Sequence, residues 1–399
     1  MNKQQPALIL GCHKIGLGII RALGEKGVPV VGISYSKMDM GYASKYVIEH
    51  HRSPHPDMDP EGFLSVLMQL GNKWSGSVLI PSDDATLIPV SKQKKRLGSL
   101  FKVAADEWPV IEKCVVKKHT YALADQIGVL CPRTKIPSSI GEAKDFVRQI
   151  GLPCLIKPTV GHSFFERFKQ KMFFARNLAD LETLFDQFAE AGVEVMLQEF
   201  IPGDDRSGAN YNSFVVGGEP VISVTAEKVR LSPPKIGFPR VVVSKRLPEL
   251  AAPANAFLKA LGYDGFSCME FKRDSRDGIY RLMEINARLN LSTPLSVKAG
   301  VNFPYLLYRY ALAGEVPRSG DEFHEDIYWI DPGKDIAESI RSYRQERFSA
   351  ADYIRPYIKP HTFTILSLTD TGPVLKRGHD LVTEGLKRLF NKIQKRRFS

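Results

Sequence analysis

The sequence contains no long hydrophobic segment and few cysteines. No apolar run approaches the ~18 residues that a membrane-spanning helix needs, and the N-terminus MNKQQPALILGCHKIG leads into a predicted strand without a signal-peptide cleavage pattern. These two absences favour a cytoplasmic protein. The five cysteines are scattered and never spaced C-x-x-C, which argues against a disulfide framework and against a zinc site.

Acidic residues are fewer than basic ones, 44 against 55, so the chain carries a net charge of +11. Such an excess suits an anionic partner, but no basic patch interleaved with aromatic residues supports a nucleic-acid binder. A nucleotide-phosphate site would account for part of the charge, and much of the rest lies near the C-terminus. With 43% hydrophobic and 25% charged residues in 399, the composition predicts sizeable cores, and the length predicts about two to four domains.

The chain opens with a predicted βαβ unit, whose strands run from Ala7 to Leu10 and from Val28 to Ile33. Between them GCHKIGLG reads G-x-x-x-x-G-x-G, so the dinucleotide fingerprint G-x-G-x-x-G fails where His13 stands. An oxidoreductase hypothesis would rest on this unit alone. A later strand ends in Ser82-Asp83-Asp84, a loop of the kind that lines ligand clefts, and this domain is predicted to end near Ala105.

Lysines stand where the second unit could bind a phosphate. A predicted helix begins with Lys117 and Lys118, and Lys157 ends the short apolar strand Cys154 to Pro158, directly before the loop Thr159 to Ser163. A lysine there meets phosphate as a point charge, and a small-residue loop offers backbone N–H groups to the same anion. A single such lysine is more often a solvated surface residue, but its place between a buried strand and a glycine loop favours an anion site.

The segment from Phe266 to Asn290 predicts a β-hairpin, with two apolar-rich runs on either side of the turn RDSRDG. Because side chains alternate along a strand, Glu284 and Asn286 share one face, and Glu270 joins them if even-numbered residues pair with even-numbered ones. The sequence leaves that register open. Two carboxylates and a carboxamide supply the oxygen ligands that Mg²⁺ takes beside phosphates. The alternative is an edge hairpin whose charged residues face water.

The segment Glu194 to Asp205, EVMLQEFIPGDD, is a predicted strand that breaks at Pro-Gly into acidic residues. With it, the order of parts resembles the ATP-grasp enzymes, and within that superfamily the carboxylate–amine ligases of the D-aspartate ligase type. Those enzymes carry a βαβ N-terminal domain, a small domain with two ATP-contacting lysines, a hinge of the form Q-E-x-I-P-G-D-D and a final E…E-x-N-x-R metal hairpin. All four parts appear here in that order, over roughly residues 7 to 315.

This resemblance implies an α/β and α+β multidomain protein in which a Rossmann-like, pre-ATP-grasp domain (1–105) precedes an ATP-grasp fold. The central ATP-grasp subdomain would span 106–192 and the C-terminal one 193–318. The extension 319–399 ends in a basic amphipathic helix, Asp380 to Arg397, which could pack on its own domain, lie on an anionic membrane surface or dock on a partner. Whether the chain forms a homodimer also stays open.

The resemblance also implies roles for individual residues. The expected contacts with the ATP phosphates are Lys117, with Lys118 as its neighbouring candidate, Lys157, Gly161, Ser163 and Lys171. The hinge residues Glu199, Phe200 and Ile201 would meet the adenine edge through backbone groups, and Asp204 or Asp205 would bind the ribose hydroxyls. The loop from Gly161 departs from the family pattern, because it is poorer in glycine and serine.

The implied metal ligands are Glu270, Glu284 and Asn286, which would hold Mg²⁺, or Mn²⁺ in its place. Arg288 follows on the same alternation and would lie near the reacting phosphoryl and carboxylate groups. Its planar guanidinium has the geometry to donate two hydrogen bonds to either group. Arg230 is the candidate for binding the substrate carboxylate, because the segment around it also resembles these ligases.

The activity that the resemblance implies is an ATP-dependent ligation of a small carboxylate to a small amine. The carboxylate attacks the γ-phosphoryl group, and an amine then attacks the acyl phosphate to give an amide, ADP and phosphate. Acyl phosphates hydrolyse, so we expect a lid that excludes water, with residues 161–171 and 233–239 as candidates. The alternative is an ATP-binding regulatory protein without turnover. The presence of all three candidate metal ligands, Glu270, Glu284 and Asn286, argues against it.

Overall fold

The computed structural model describes residues 4–158, 172–320, 322–342 and 349–397. Its first unit is a parallel sheet of order β3-β2-β1-β4-β5. The strands β1, β2 and β4 are buried throughout, as expected for a parallel sheet covered on both faces. The elements are β1 (Ala7–Leu10), α1 (Lys14–Gly24), β2 (Val30–Ser34), β3 (Val47–Arg52), α2 (Pro60–Lys73), β4 (Val78–Pro81), α3 (Asp84–Lys92), α4 (Lys94–Leu97) and β5 (Lys102–Val103).

The strand order of this sheet reverses between β1 and β4, which creates a switch point at their carboxyl ends. In open α/β sheets this is where ligands bind. The loops that start at Gly11 and Ser82 leave the sheet at this edge, so Ser82-Asp83-Asp84 lies at the switch point, and its role in lining a ligand cleft stays a prediction.

The second unit is a small antiparallel sheet of order β6-β9-β7-β8. Its elements are β6 (Thr134–Lys135), α7 (Ile140–Ile150), β7 (Cys154–Pro158), β8 (Phe173–Ala175), α8 (Leu178–Glu190) and β9 (Val195–Glu199), preceded by α5 (Trp108–Val115) and α6 (Lys117–Gln126). Because β9 pairs with β7, it belongs to this sheet, although the predicted boundary at 192/193 assigned it to the next subdomain. Helices α5 and α6 pack on the third sheet instead: Ile111 and Ala124 share a core with Met269.

The third unit is a seven-stranded sheet of order β14-β13-β10-β11-β12-β15-β16. Its elements are β10 (Gly208–Val216), β11 (Glu219–Ser232), β12 (Phe238–Ser244), α9 (Ala251–Leu261), β13 (Gly265–Arg273), β14 (Tyr280–Asn286), α10 (Thr293–Lys298), α11 (Phe303–Ala313), β15 (Tyr328–Ile330), α12 (Pro332–Arg341), α13 (Ala350–Ile358), β16 (His361–Phe363) and α14 (Gly372–Arg397). The extension beyond residue 318 therefore completes this sheet, since β15 pairs with β12 and β16 with β15.

The N-terminal domain packs on one face of the large sheet. Ile9 and Ile19 share a buried cluster with Phe266, Cys268 and Trp329, while α9 and α5 cover the opposite face. Burial of these side chains fixes the N-terminal sheet against the large sheet, which carries the hairpin of β13 and β14. The switch-point edge of the first sheet thus lies close to that hairpin.

The C-terminal helix α14 begins against the N-terminal domain. Asp370, just before it, accepts hydrogen bonds from Arg21 Nε (2.9 Å), Ser44 Oγ (2.8 Å) and the Lys45 backbone N–H (2.9 Å), and the Lys376 ammonium lies over the Tyr42 ring. The start of the helix therefore packs on its own chain, and the three alternatives for Asp380 to Arg397 stay predictions. In the part of the chain that the structure describes, no helix combines the length and hydropathy required to cross a membrane.

Candidate active site

The β13–β14 hairpin has the register that brings its polar residues together. Glu270 pairs with Glu284, and Cys268 with Asn286, so the register that the sequence left open is the one that pairs even-numbered residues here. The Asn286 amide Nδ2 lies 3.3 Å from Glu270 Oε1 and 3.3 Å from Glu284 Oε1. The two carboxylates and the carboxamide therefore converge on one face of the hairpin.

The opposite face of the hairpin packs into the core. Ile285 is buried there, and an irregularity between Glu270 and Phe271 shifts the pairing by one residue, which adds Leu282 to the buried set. A bulge bends a strand and redirects side chains. The candidate metal ligands Glu270, Glu284 and Asn286 belong to the last regular pairs before this bulge.

Two lysines offset the charge of the paired glutamates, which as like charges directly opposite each other would repel. Lys228 Nζ forms an ion pair with Glu270 Oε2, and Lys117 Nζ lies 3.5 Å from Glu284 Oε2. Burial raises the pKa of Glu284, but the ammonium groups of Lys117 and Lys228 outweigh it and hold that pKa well below its usual range. Burial likewise lowers the pKa values of both lysines, and their carboxylate partners outweigh it and raise them.

The structure distinguishes the two lysines that begin α6. Lys117 lines a cavity of ≈ 70 Å³ together with Asp84, Glu284 and Asn286. Lys118 is exposed. Of the two neighbouring candidates, Lys117 is the one that faces the hairpin.

Sequence reasoning missed Lys228 as a member of this cluster. It reaches Glu270 from β11, two strands away in the sheet, past Gly208. A Cβ on Gly208 would lie 2.7 Å from Lys228 Cδ, so only glycine clears this path without a shift of the lysine. Lys228 alternates with Arg230 in the sequence, and this alternation was a signal that could have pointed to Lys228. The sequence does not reveal the strand order that brings Lys228 to Glu270.

Lys157 lies on β7, in the small sheet, and is 9% exposed. Its Nζ donates to Gln198 Oε1 at 2.5 Å, and Gln198 Nε2 donates in turn to Thr134 Oγ1 at 3.1 Å. Burial, together with the positive charges of Lys117 and Lys272, lowers the pKa of Lys157 to about 7. The lysine is thus held by a neutral partner, and its charge remains available to an anion.

The hinge residues lie where β9 ends. The Glu199 carboxylate is bound by Arg133 (Nε, 3.0 Å) and by Arg276 in the β13–β14 turn (Nη2, 2.7 Å), so this side chain ties the small sheet to the metal hairpin. Ile201 is buried. The Phe200 ring meets Phe174 edge-on at 6.0 Å.

Asp204 and Asp205 follow this hinge and differ in their partners. The Asp205 carboxylate accepts the backbone N–H groups of Leu231 and Lys235 and so fastens the turn between β11 and β12. Asp204 Oδ1 accepts from the Ser207 hydroxyl at 3.1 Å. The Asp205 carboxylate is thus engaged by the protein backbone, and the assignment of Asp204 or Asp205 to the ribose hydroxyls stays a prediction.

Arg288 extends the cluster toward the N-terminal domain. Its Nε and Nη2 donate to Asp84 Oδ1 (2.9 Å) and Oδ2 (3.2 Å), which is the bidentate geometry that arginine forms with carboxylates. Arg288 also lines a cavity of ≈ 200 Å³ between the end of the first sheet and the start of β13. Asp84 stood in the predicted cleft loop, but its partner lies 204 residues away and no local pattern points to it.

Arg230 has a different environment. Its guanidinium forms a buried bidentate pair with Asp335 (2.9 and 2.8 Å), and Arg240 Nη1 lies 2.9 Å from the same carboxylate. Arg240 and Asp335 are fully buried. The candidate for binding a substrate carboxylate is therefore already paired with a carboxylate of the protein, and this geometry favours a structural role.

Three predicted phosphate ligands, Gly161, Ser163 and Lys171, lie outside the described residues, as does the lid candidate 161–171. The other lid candidate, 233–239, forms the turn between β11 and β12 and the first residues of β12. Its Ile236 and Phe238 are exposed. Its role as a lid stays a prediction.

The hairpin cluster fits a hard divalent cation. Glu270, Glu284 and Asn286 offer oxygen atoms, and a half-rotation of the Asn286 amide exchanges its nitrogen for its oxygen. Among the described residues no cluster of three or more histidine, cysteine, aspartate or glutamate side chains suits a metal. A site of two carboxylates and one carboxamide is the kind that phosphate oxygens complete.

Known proteins resemble the chain in sequence and in fold. No protein-family model matches it. It is 24% identical over 326 residues to D-aspartate ligase of Enterococcus faecium (strain Aus0004), which covers 75% of each protein. Its fold matches the biotin carboxylase domain of Hydrogenobacter thermophilus 2-oxoglutarate carboxylase, solved with MgADP and bicarbonate (TM-score 0.64, 17% identity, 82% and 74% covered). It also matches L-amino acid ligase of Bacillus licheniformis (TM-score 0.61, 17% identity, 78% and 75% covered).

The chain has the ATP-grasp fold preceded by a Rossmann-like α/β domain, and within that superfamily it resembles the carboxylate–amine ligases of the D-aspartate ligase type.

Proposed function

We propose that the protein is an ATP- and Mg²⁺-dependent ligase that joins a small carboxylate to a small amine and releases ADP and phosphate. The observation that carries this proposal is the convergence of Glu270, Glu284 and Asn286 with Lys117 and Lys228 on one cleft wall. Oxygen ligands beside cations are what a nucleotide triphosphate and its metal require. The similarity to D-aspartate ligase and to L-amino acid ligase supports this class of reaction.

Each group in the cleft has a defined task in this proposal. Glu270, Glu284 and Asn286 would hold Mg²⁺, or Mn²⁺, which when bound offsets charge on the β- and γ-phosphate oxygens. Lys117, at the start of α6, and Lys157, on β7, would bind phosphate oxygens. The hinge strand from Glu199 to Ile201 takes the adenine through its backbone, and Asp204 takes the ribose.

The reaction proceeds in two balanced steps. A carboxylate oxygen of the acyl donor attacks the γ-phosphorus and expels ADP, which leaves an acyl phosphate. The amine then attacks the acyl carbon, expels phosphate, loses a proton and becomes an amide. Arg288, fixed by Asp84, stabilises the negative charge that develops on the acyl oxygen and on the phosphoryl group.

An ATP-binding protein without turnover is the second candidate on the same fold. The complete hairpin cluster counts against it, because ligand binding alone does not need a metal placed where charge develops. A screen of paired carboxylates and amines for ADP release decides between the two. The ligase predicts ADP release that needs both substrates, whereas a binding protein would bind MgATP and release no ADP with any pair.

A further inference from the structure

The partner of Lys157 is unusual for a buried lysine. Lys157 is 9% exposed, and its ammonium lies 2.5 Å from the carboxamide oxygen of Gln198, which carries no charge. Charged groups withdrawn from water are usually paired with an opposite charge. Gln198 satisfies one ammonium hydrogen but leaves the charge of Lys157 uncompensated.

Gln198 is itself held in one orientation. Its side chain is fully buried, and its Nε2 donates to Thr134 Oγ1, so its Oε1 is the atom that faces Lys157. Thr134 lies on β6 and Gln198 on β9, both neighbours in the small sheet. The lysine is thus positioned by a rigid backbone scaffold.

The charged groups around Lys157 come from three other elements. Lys117 on α6 and Lys272 on β13 add positive charge, and Glu284 on β14 adds negative charge. Glu284 is already engaged by Lys117 and by the Asn286 amide. No carboxylate within the described residues forms an ion pair with Lys157, and the surroundings of its ammonium are positive on balance.

We propose that Gln198 is a positioning residue that holds the Lys157 ammonium toward the nucleotide phosphates while leaving its charge for the phosphates to neutralise. This inference rests on the proposed function, because it takes the phosphates of ATP as the anion. A glutamate at position 198 would neutralise the lysine before the nucleotide arrives. A carboxamide gives the orientation without that competition.

The proposal predicts a specific dependence on pH. Free Lys157, whose pKa is about 7, is charged below that pH and loses its proton as the pH rises, whereas bound phosphate keeps it charged. MgATP affinity should therefore be full below pH 7 and fall about tenfold per pH unit above it. In Gln198→Glu the carboxylate keeps the lysine charged to higher pH, so the fall should begin later.

The test is isothermal titration of MgATP into the full chain between about pH 6 and pH 9. Gln198→Glu should bind MgATP about tenfold more weakly at pH 6, with its break in affinity at least one pH unit above that of the wild type. Gln187→Glu makes the same change at an exposed glutamine of α8 and is the matched control. It should match the wild type, so the pH dependence that the two share reports the ionisation of the nucleotide. Lys157→Met should bind weakly and lack this break.

Coincident pH profiles for Gln198→Glu and the wild type would overturn the inference, even if the affinities differ, because direct contact with the nucleotide could change affinity alone. If Lys157→Met binds as the wild type does, the inference also fails, while the proposed function survives provided that Glu284→Gln weakens MgATP binding. A wild-type chain that binds no MgATP would overturn both.

Discussion

The guanidinium of Arg288 and the carboxylate of Asp84 form two parallel hydrogen bonds, of 2.9 and 3.2 Å, across the boundary between the large sheet and the N-terminal domain. Asp84 is the first residue of α3, at the switch-point edge of the first sheet. Arg288 follows the metal hairpin by two residues. This ion pair therefore fixes the spacing between the domain edge expected to receive a substrate and the groups expected to bind the nucleotide.

Breaking this pair should affect catalysis more than nucleotide binding. In Asp84→Asn one oxygen becomes a donor, so the guanidinium loses its bidentate partner and its orientation. We expect kcat to fall about tenfold while the Kd of MgATP changes less than about twofold. Steady-state kinetics and titration calorimetry measure the two quantities. Asp186→Asn, at an exposed position of α8, is the matched control, and equal kinetics for both variants would remove Asp84 from the account.

The metal hairpin should tolerate loss of its polar face without unfolding. Glu284→Gln and Asn286→Ala remove oxygen ligands, whereas the core contacts of the hairpin come from Leu282 and Ile285. We expect both variants to lose turnover by about 10² or more and to keep melting temperatures close to that of the wild type. Glu249→Gln, at an exposed site, should change neither. Wild-type rates of ATP turnover in both hairpin variants would show that the metal assignment is wrong.

The two lysines at the start of α6 provide an internal comparison. Lys117→Ala should lower turnover about 100-fold, because Lys117 faces the hairpin and stabilises charge there. The change should also leave the negative charge of Glu284 less compensated. Lys118→Ala, one residue away and exposed, should stay within about twofold of the wild type. The reverse ranking would mean that α6 presents the other face to the nucleotide.

The buried ion cluster around Asp335 predicts a stability effect. Asp335 compensates Arg230 and Arg240 and also accepts from the Tyr357 hydroxyl, so Asp335→Asn removes the negative charge that the two buried guanidinium groups share. We expect a loss of about 3–5 kcal/mol in the free energy of unfolding, measured by urea denaturation.

The matched control for that change is Asp277→Asn, which alters an exposed carboxylate of the β13–β14 turn that pairs with Arg281 at the start of β14. It should lower the free energy of unfolding far less than Asp335→Asn does, because exposed ion pairs contribute little to stability. A small effect at both aspartates would mean that the C-terminal extension adds little to the stability of the large sheet. It would also reopen Arg230 as a ligand for a substrate carboxylate.

Much of the site could be predicted because its parts are local in sequence. The alternation in the hairpin places Glu284 and Asn286 on one face whatever the rest of the chain does. The strand Cys154 to Pro158 was predicted with the bounds that the structure has, because a short apolar run beside a loop leaves few alternatives.

The rest depends on contacts between distant segments. The strands β10, β11 and β12 were not predicted, and it is their order that brings Lys228 to Glu270. The carboxylate partner of Arg230, Asp335, lies 105 residues away, in an extension that the resemblance barely reached. Such pairs are set by sheet order and domain packing, which single-sequence patterns do not encode.

The fate of the carboxylate oxygen tests the central claim most directly. A carboxylate found by screening with hydroxylamine, which traps an acyl phosphate as a hydroxamate, is labelled with ¹⁸O and incubated with MgATP and its amine. Phosphorus NMR then follows the label. The account predicts ADP and inorganic phosphate in equal amounts with the amide, with one ¹⁸O atom in each phosphate formed. Release of AMP and pyrophosphate, with the label in AMP, would contradict it.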